Sequence, residues 1–155
     1  MSDLPALPVT FRPGHVRAVL LTAAVALFAV ITAVAVLLEP LTPGERISFV
    51  FTGALISGVL VLLARPKVVA DDSGVTVVNI AGRRRLAWPE ILQVNLRTGD
   101  PWVFLDLSDG TTLPALGIQP GIARKRALAD ARALRALVEA RSLHDPELSR
   151  GEPQG

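Results

Sequence analysis

The sequence predicts a two-helix transmembrane hairpin carrying one mainly β domain that ends in an α-helix. Three observations lead there. Half of the 155 residues are apolar and only 19% are charged, a balance too greasy for a soluble domain of this length. The excess sits in the first 64 residues, where Val16 to Leu38 holds a single charge, Arg17 at its edge, and Ile47 to Ala64 holds none. From Lys67 onward the long apolar runs give way to short β-rich runs separated by turn signals.

Residues 1–15 contain Pro5, Pro8 and Pro13 without periodicity, and are expected to form a flexible N-terminal tail. The hairpin is expected over 16–64, with helices at about 16–38 and 47–64. At a rise of about 1.5 Å per residue these runs cover roughly 34 Å and 27 Å, against a hydrocarbon core of about 30 Å. A buried hairpin in a soluble bundle would need other apolar segments to cover it, and the sequence offers none. A cleaved signal peptide is a poorer reading too, because signal cores run only about 7 to 15 residues and a second apolar run follows directly.

Between the runs, Glu39-Pro-Leu-Thr-Pro-Gly-Glu-Arg46 combines two prolines and a glycine that stop a helix and reverse the chain. Arg12 and Arg17 flank the first run, Arg65 and Lys67 flank the second, and the loop has only Arg46. By the positive-inside rule the protein crosses the cell membrane twice with both termini cytoplasmic. Gly53 with Ser57, Ala54 with Gly58, and Ala29 with Ala33 form small-xxx-small pairs. Such pairs permit close helix approach, within the hairpin or in a homo-oligomer.

The domain is expected over 65–143. Val68–Ala70 and Val75–Ile80 read as strands around the turn Asp71-Asp-Ser-Gly74, and Ala81-Gly82 reverses the chain into Arg83–Trp88. Pro89-Glu-Ile91 reads as a short helical turn with proline first. Leu92–Arg97 follows as a strand with Leu92, Val94 and Leu96 on one face. After the break Thr98-Gly-Asp-Pro101, Trp102–Ser108 and Thr111–Leu116 form a hairpin around Asp109-Gly110, a strong two-residue turn signal. Ile122–Leu143 is an amphipathic helix with Ala127, Ala131, Leu134 and Val138 on one stripe and Arg124, Lys125, Arg132 and Glu139 opposite. The stripe can pack on the sheet, or face the membrane surface or another protein. Residues 144–155 are polar and are expected to be a disordered tail.

Ala64-Arg-Pro-Lys-Val68 leaving the membrane, Asp72-Ser-Gly-Val75, Arg84-Arg-Leu-Ala-Trp-Pro-Glu-Ile91, Leu105-Asp-Leu-Ser-Asp-Gly110 and the Ala- and Arg-rich helix, in this order and spacing, resemble the bacterial PH-like domain proteins of actinobacteria. The group named after low molecular weight protein antigen 6 is the best fit. The resemblance implies a PH-like fold, a bent antiparallel sheet of six to seven strands closed at one end by the C-terminal helix. It implies no particular activity. Eukaryotic PH domains that bind phosphoinositides use basic residues in the loop between the first two strands. Equating that loop with Asp71-Asp-Ser-Gly74 places aspartates where phosphate would bind, which argues against that mode.

The chain has no cysteine and no tyrosine, and its two histidines, His15 and His144, lie outside the domain. No nucleophile or acid–base set can be assembled from these, so the sequence reads as a non-enzyme without catalytic residues or cofactor. Asp71, Asp72, Asp106 and Asp109 do not read as a metal site, because three of them occupy turn positions where aspartate bonds its own backbone. Arg83-Arg-Arg85 is the densest charge run. With Arg65 and Lys67 it could meet anionic lipid headgroups at about 1 kcal/mol per residue, or it could be a solvated strand edge protected from mispairing. A nucleic-acid partner is not expected, since the run has no interleaved aromatics or recognition helix. Trp88 and Trp102 are expected in the core, with each indole N–H turned to an edge partner. The expected partners are therefore the bilayer and a membrane or envelope protein, for which the chain acts as a scaffold; an anionic-lipid sensor using Arg83 to Arg85 is the alternative.

Overall fold

The computed structural model describes residues 4–121 and 123–142. Two compact units form, one from Gly14–Arg65 and the other from the described parts of Met1–Pro13 and Pro66–Gly155. The expectations for 144–155 lie outside the described residues.

The hairpin unit consists of α1 (Gly14–Leu37) and α2 (Pro43–Leu63), each long and apolar enough to cross a membrane. Only 11% and 6% of their most apolar stretches are buried, so the helices are not the shielded core of a soluble bundle. α2 starts four residues earlier than the expected Ile47, because Pro-Gly-Glu-Arg makes a good first turn rather than a loop. Pro43 needs no N–H there, and Thr42 and Glu45 form a capping box in which the Glu45 carboxylate accepts from Thr42 N at 2.7 Å. The helices meet through small residues. Gly53 lies against Ile31, and Ser57 Oγ donates to Ala24 O at 3.0 Å. The first small-residue pair of α2 is thereby used inside the hairpin, while Ala54 and Gly58 stay exposed. Arg46, from the first turn of α2, donates to the carbonyls of Ala35, Val36 and Leu38 at the end of α1, acceptors that a helix C-terminus leaves without partners, and to Leu41 O in the loop, at 2.7–3.3 Å.

The β unit has seven strands: β1 (Val9–Phe11), β2 (Lys67–Asp71), β3 (Gly74–Val78), β4 (Arg83–Leu86), β5 (Ile91–Asn95), β6 (Val103–Leu107) and β7 (Thr112–Ala115). They form two antiparallel sheets, ordered β1-β2-β3-β4 and β5-β6-β7, and α3 (Arg124–Ser142) completes the unit. This is the PH-like architecture expected, with one correction. The described part of residues 1–15 is not a free tail: Val9, Thr10 and Phe11 pair with Ala70, Val69 and Val68, and Phe11 is buried in the core. Val-Thr-Phe is a good strand sequence, but so short a run is recognisable only beside its partner. The membrane-length hairpin is therefore the connection between the first two strands. Asp71–Gly74, equated with that connection above, joins the second and third strands instead.

The core gathers alternate residues of both sheets, among them Val68, Val77, Leu86 and Leu105, beneath Leu134 and Leu137 of α3. Ala127, Ala131, Leu134 and Val138 are all buried, so the apolar stripe packs on the sheet. Arg135 fastens the helix by donating from Nε and Nη2 to Val94 O at 3.2 and 2.8 Å. The expected face of Leu92, Val94 and Leu96 is broken by a bulge between Ile91 and Gln93. Ile91 and Val94 are each 1% exposed and Leu92 is 66% exposed: the extra residue reverses the alternation. Asn79 ties the two sheets together, its Nδ2 donating to Pro114 O at 2.7 Å and its Oδ1 accepting from Leu116 N at 3.2 Å. Trp88 donates through Nε1 to Asp71 O at 3.1 Å. Trp102 departs from expectation, being half-buried against Phe104 at 6.3 Å with its indole N–H unpartnered among the described residues.

Candidate functional site

Strand register divides the β unit into two ends of different charge. β1 ends at Phe11 opposite Val68, and β2 begins at Lys67, so the chain leaves for α1 and returns from α2 at the same end of one ladder. Val78 pairs with both Lys67 and Arg83, which puts Arg83 in that end row. Gly117 rests on the backbone of Lys67 and Val68, and Val103 N donates to Ile118 O at 3.2 Å. The segment after β7 and the β5–β6 loop therefore reach the same end. A cleft of about 370 Å³ opens there, lined by Leu96, Arg97, Asp100, Pro120, Arg124 and Leu128 among others. Lys67, Arg83, Arg97 and Arg124 make no ion pair among the described residues.

The opposite end holds the β2–β3 and β6–β7 turns, and the three ion pairs of the described residues all use turn carboxylates there. Arg85 spans Asp71, Arg84 reaches Asp109 at 3.3 Å, and Arg141 at the end of α3 reaches Asp72 at 3.0 Å. Asp71 Oδ1 also accepts from Ser73 N and Gly74 N. The Arg85 guanidinium, followed by the Ser73 donors, holds the Asp71 carboxyl far below the ordinary carboxylate range. Asp109 likewise serves its own turn, accepting from Thr111 Oγ1 at 2.5 Å and from Thr111 N at 2.9 Å, which lowers its pKa with a smaller contribution from Arg84. Asp106 accepts from Asn95 and Thr112 across its sheet at 2.5 and 3.0 Å.

The expected set Arg65, Lys67, Arg83, Arg84 and Arg85 is thus divided rather than assembled. Lys67 and Arg83 share one end, Arg65 closes the hairpin unit, and Arg84 and Arg85 turn to carboxylates at the other end. The pleat separates Arg84 from its neighbours, and the turn aspartates capture it and Arg85. Arg97 and Arg124 were not singled out from the sequence, where one looks like the residue before a loop and the other like the polar face of a helix. No local signal could have joined them, because the fold alone brings the β5–β6 loop to the start of α3.

Residues 65–137, covering β2 through most of α3, match the family model described as bacterial PH domain. The β unit is similar to the bacterial PH domain family over those residues. The match begins just after the hairpin, so β1 lies outside it and is supplied to the β unit from before the hairpin. Uncharacterized proteins of Mycobacterium bovis and Mycobacterium tuberculosis are 29% identical over 94 residues, or 61% of this chain. The chain spans about 60% of the length of these relatives. No solved structure matches the chain.

Proposed function

We propose that the protein is a non-catalytic binding module anchored in the cell membrane, with its PH domain and both termini on the cytoplasmic side, serving as a scaffold or localisation element for another membrane or envelope protein. The observation that carries this reading is the insertion of a membrane-length hairpin between β1 and β2. The domain is thereby tied at two points, by Arg12-Pro13 before α1 and by Ala64-Arg65-Pro66 after α2. A pair of short tethers suits a module whose task is to be held in place. The cytoplasmic assignment follows the basic flanks Arg12, Arg17, Arg65 and Lys67. The competing loop cation, Arg46, has its guanidinium occupied by backbone carbonyls.

Pairing of Arg84 and Arg85 with carboxylates favours the protein-scaffold reading over lipid sensing by Arg83, Arg84 and Arg85 as a unit. Homo-oligomerisation through the exposed Ala54 and Gly58 is compatible with either. The topology is tested with Glu39→Cys and Glu139→Cys, both at exposed positions: an impermeant thiol reagent added outside intact cells should label only the first. The scaffold reading is tested with a photo-crosslinking residue at Leu92, the exposed apolar side chain on the β5 bulge. A discrete adduct with one protein is expected in native membranes, and adducts with lipid alone would overturn the scaffold role.

A further inference from the structure

The outer face of the β5-β6-β7 sheet carries a second pocket, of about 260 Å³. It adjoins the cleft described above and shares Arg97 and Asp100 with it. Strand register builds its floor: Asn95 pairs with Phe104, and Asp106 with Thr112. The neighbouring Val94, Val103 and Leu105 are buried in the core, so these four pocket residues stand on the opposite side of the pleat. Arg97 and Asp100, from the connection between β5 and β6, make the wall. Asp100 holds that connection in place, its Oδ2 accepting from Arg97 N at 2.8 Å.

Donors and acceptors segregate within this pocket. Asp106 Oδ2 accepts from Asn95 Nδ2 at 2.5 Å and its Oδ1 from Thr112 Oγ1 at 3.0 Å, which fixes the carboxylate and uses the hydroxyl proton. Each Asp106 oxygen keeps a further acceptor site, beside Asn95 Oδ1 and Thr112 Oγ1. An ammonium, with three donors and no acceptor, complements that side, and the Phe104 ring adds a face that attracts a cation. Arg97 is the other side: its guanidinium only donates and suits a carboxylate bidentately. Neither Arg97 nor Asp106 makes an ion pair among the described residues. Opposite charges thus line one pocket without meeting, which leaves space between them for a molecule that bears both. We propose that the pocket binds a free α-amino acid, with the ammonium on Asp106 against Phe104 and the carboxylate on Arg97. A volume just under the range of roughly 300 to 1,000 Å³ usual for drug-sized ligands suits so small a guest. All six lining residues belong to the β unit, so the site depends on neither the membrane anchor nor the scaffold role.

The test uses the full chain in a mild neutral detergent and saturation-transfer difference NMR on the methyl groups of L-alanine, ethylamine and propionate. Ethylamine is alanine without its carboxylate, and propionate is alanine without its ammonium. Alanine is expected to bind at least about tenfold tighter than either, the low end of what a hydrogen bond to a charged group contributes. Arg97→Gln should bring alanine down to the level of ethylamine while leaving ethylamine within about twofold. Asp106→Asn should bring alanine down to the level of propionate and leave propionate within about twofold. Arg132→Gln and Glu139→Gln make the same charge changes at exposed positions of α3 and should leave alanine binding within about twofold. Misfolding would abolish every ligand together, whereas each pocket variant is expected to keep one, so a variant that loses all three passes the decision to the other. Absence of transfer to alanine, equal binding of the three ligands by wild type, an alanine preference unchanged in the pocket variants, or loss of all three ligands in both would overturn the site.

Discussion

Arg85 holds both oxygens of Asp71, with Nη1 3.0 Å from Oδ2 and Nη2 2.8 Å from Oδ1, and its Nη1 also donates to Thr76 Oγ1 at 2.8 Å. One arginine thus closes the β2–β3 turn and neutralises the aspartate that shapes it. The folded pKa of Asp71 is depressed from the ordinary 3.8, so its contribution to stability is complete above that value and is lost as pH falls below it toward the folded pKa. Arg85→Gln should raise the Asp71 pKa, lower stability at neutral pH and flatten the loss of stability below about pH 4. A carbon-detected NMR titration of the Asp71 carboxyl checks this; an unmoved midpoint in the variant would show that the turn donors alone set the pKa.

Gly117 marks the closest approach of the β7–α3 segment to β2. A Cβ there would lie 2.6 Å from Lys67 Cα and C and 2.7 Å from Val68 N, and a backbone neighbour cannot swing away as a side-chain tip can. Gly117→Ala is expected to cost about 1–3 kcal/mol. Gly82→Ala, with open space around the new methyl, should stay within about 0.5 kcal/mol. Thermal unfolding of the full chain in detergent, followed by tryptophan fluorescence, compares the two, and similar midpoints would contradict the contact.

Leu134 is fully buried under α3, whereas Leu92 stands on the bulge at 66% exposure. Leu134→Ala should destabilise the β unit by about 2–5 kcal/mol, and Leu92→Ala by no more than about 0.5 kcal/mol. Hydrogen exchange of the β2 and β6 amides is the readout. Loss of protection in the Leu92 variant would mean that the alternation runs as the sequence suggests and the bulge is absent.

Arg46 satisfies carbonyls of Ala35, Val36, Leu38 and Leu41 that have few alternatives near the bilayer. Arg46→Gln is expected to weaken the hairpin by about 1–3 kcal/mol. Arg46→Lys should recover only part of this, because an ammonium cannot spread its donors over the same fork. Unfolding of α1 from α2 by sodium dodecyl sulfate in mixed micelles measures the difference, and identical curves for the three proteins would reduce Arg46 to a spectator.

The two helices, six of the strands and the packed face of α3 were legible because each is written in a short window. A run of about 20 apolar residues, a period of two and a stripe at spacings of three and four report burial directly. The Asp71 and Asp109 turns were legible for a similar reason, since aspartate bonds donors two residues away. Trp88 found its edge partner as expected, but nothing near Trp102 in sequence reveals that its N–H lacks one among the described residues.

Tertiary structure decided the features that depend on residues far apart in the chain. Val9–Phe11 becomes a strand only because Val68–Ala70 follows the hairpin in the chain, and that pairing turns an N-terminal anchor into an insertion within the PH-like β unit. Three consecutive arginines look like one basic patch, yet their fate depends on which carboxylates the turns bring near, so Arg84 and Arg85 are spent on ion pairs. Arg97 and Arg124 come to line one cleft when β6 and β7 carry the chain to the opposite end and back. Composition and period fix what a segment can bury, because burial is a property of its own side chains. Which charges remain free is a property of pairs, settled only when the register brings distant side chains within a few ångströms of each other.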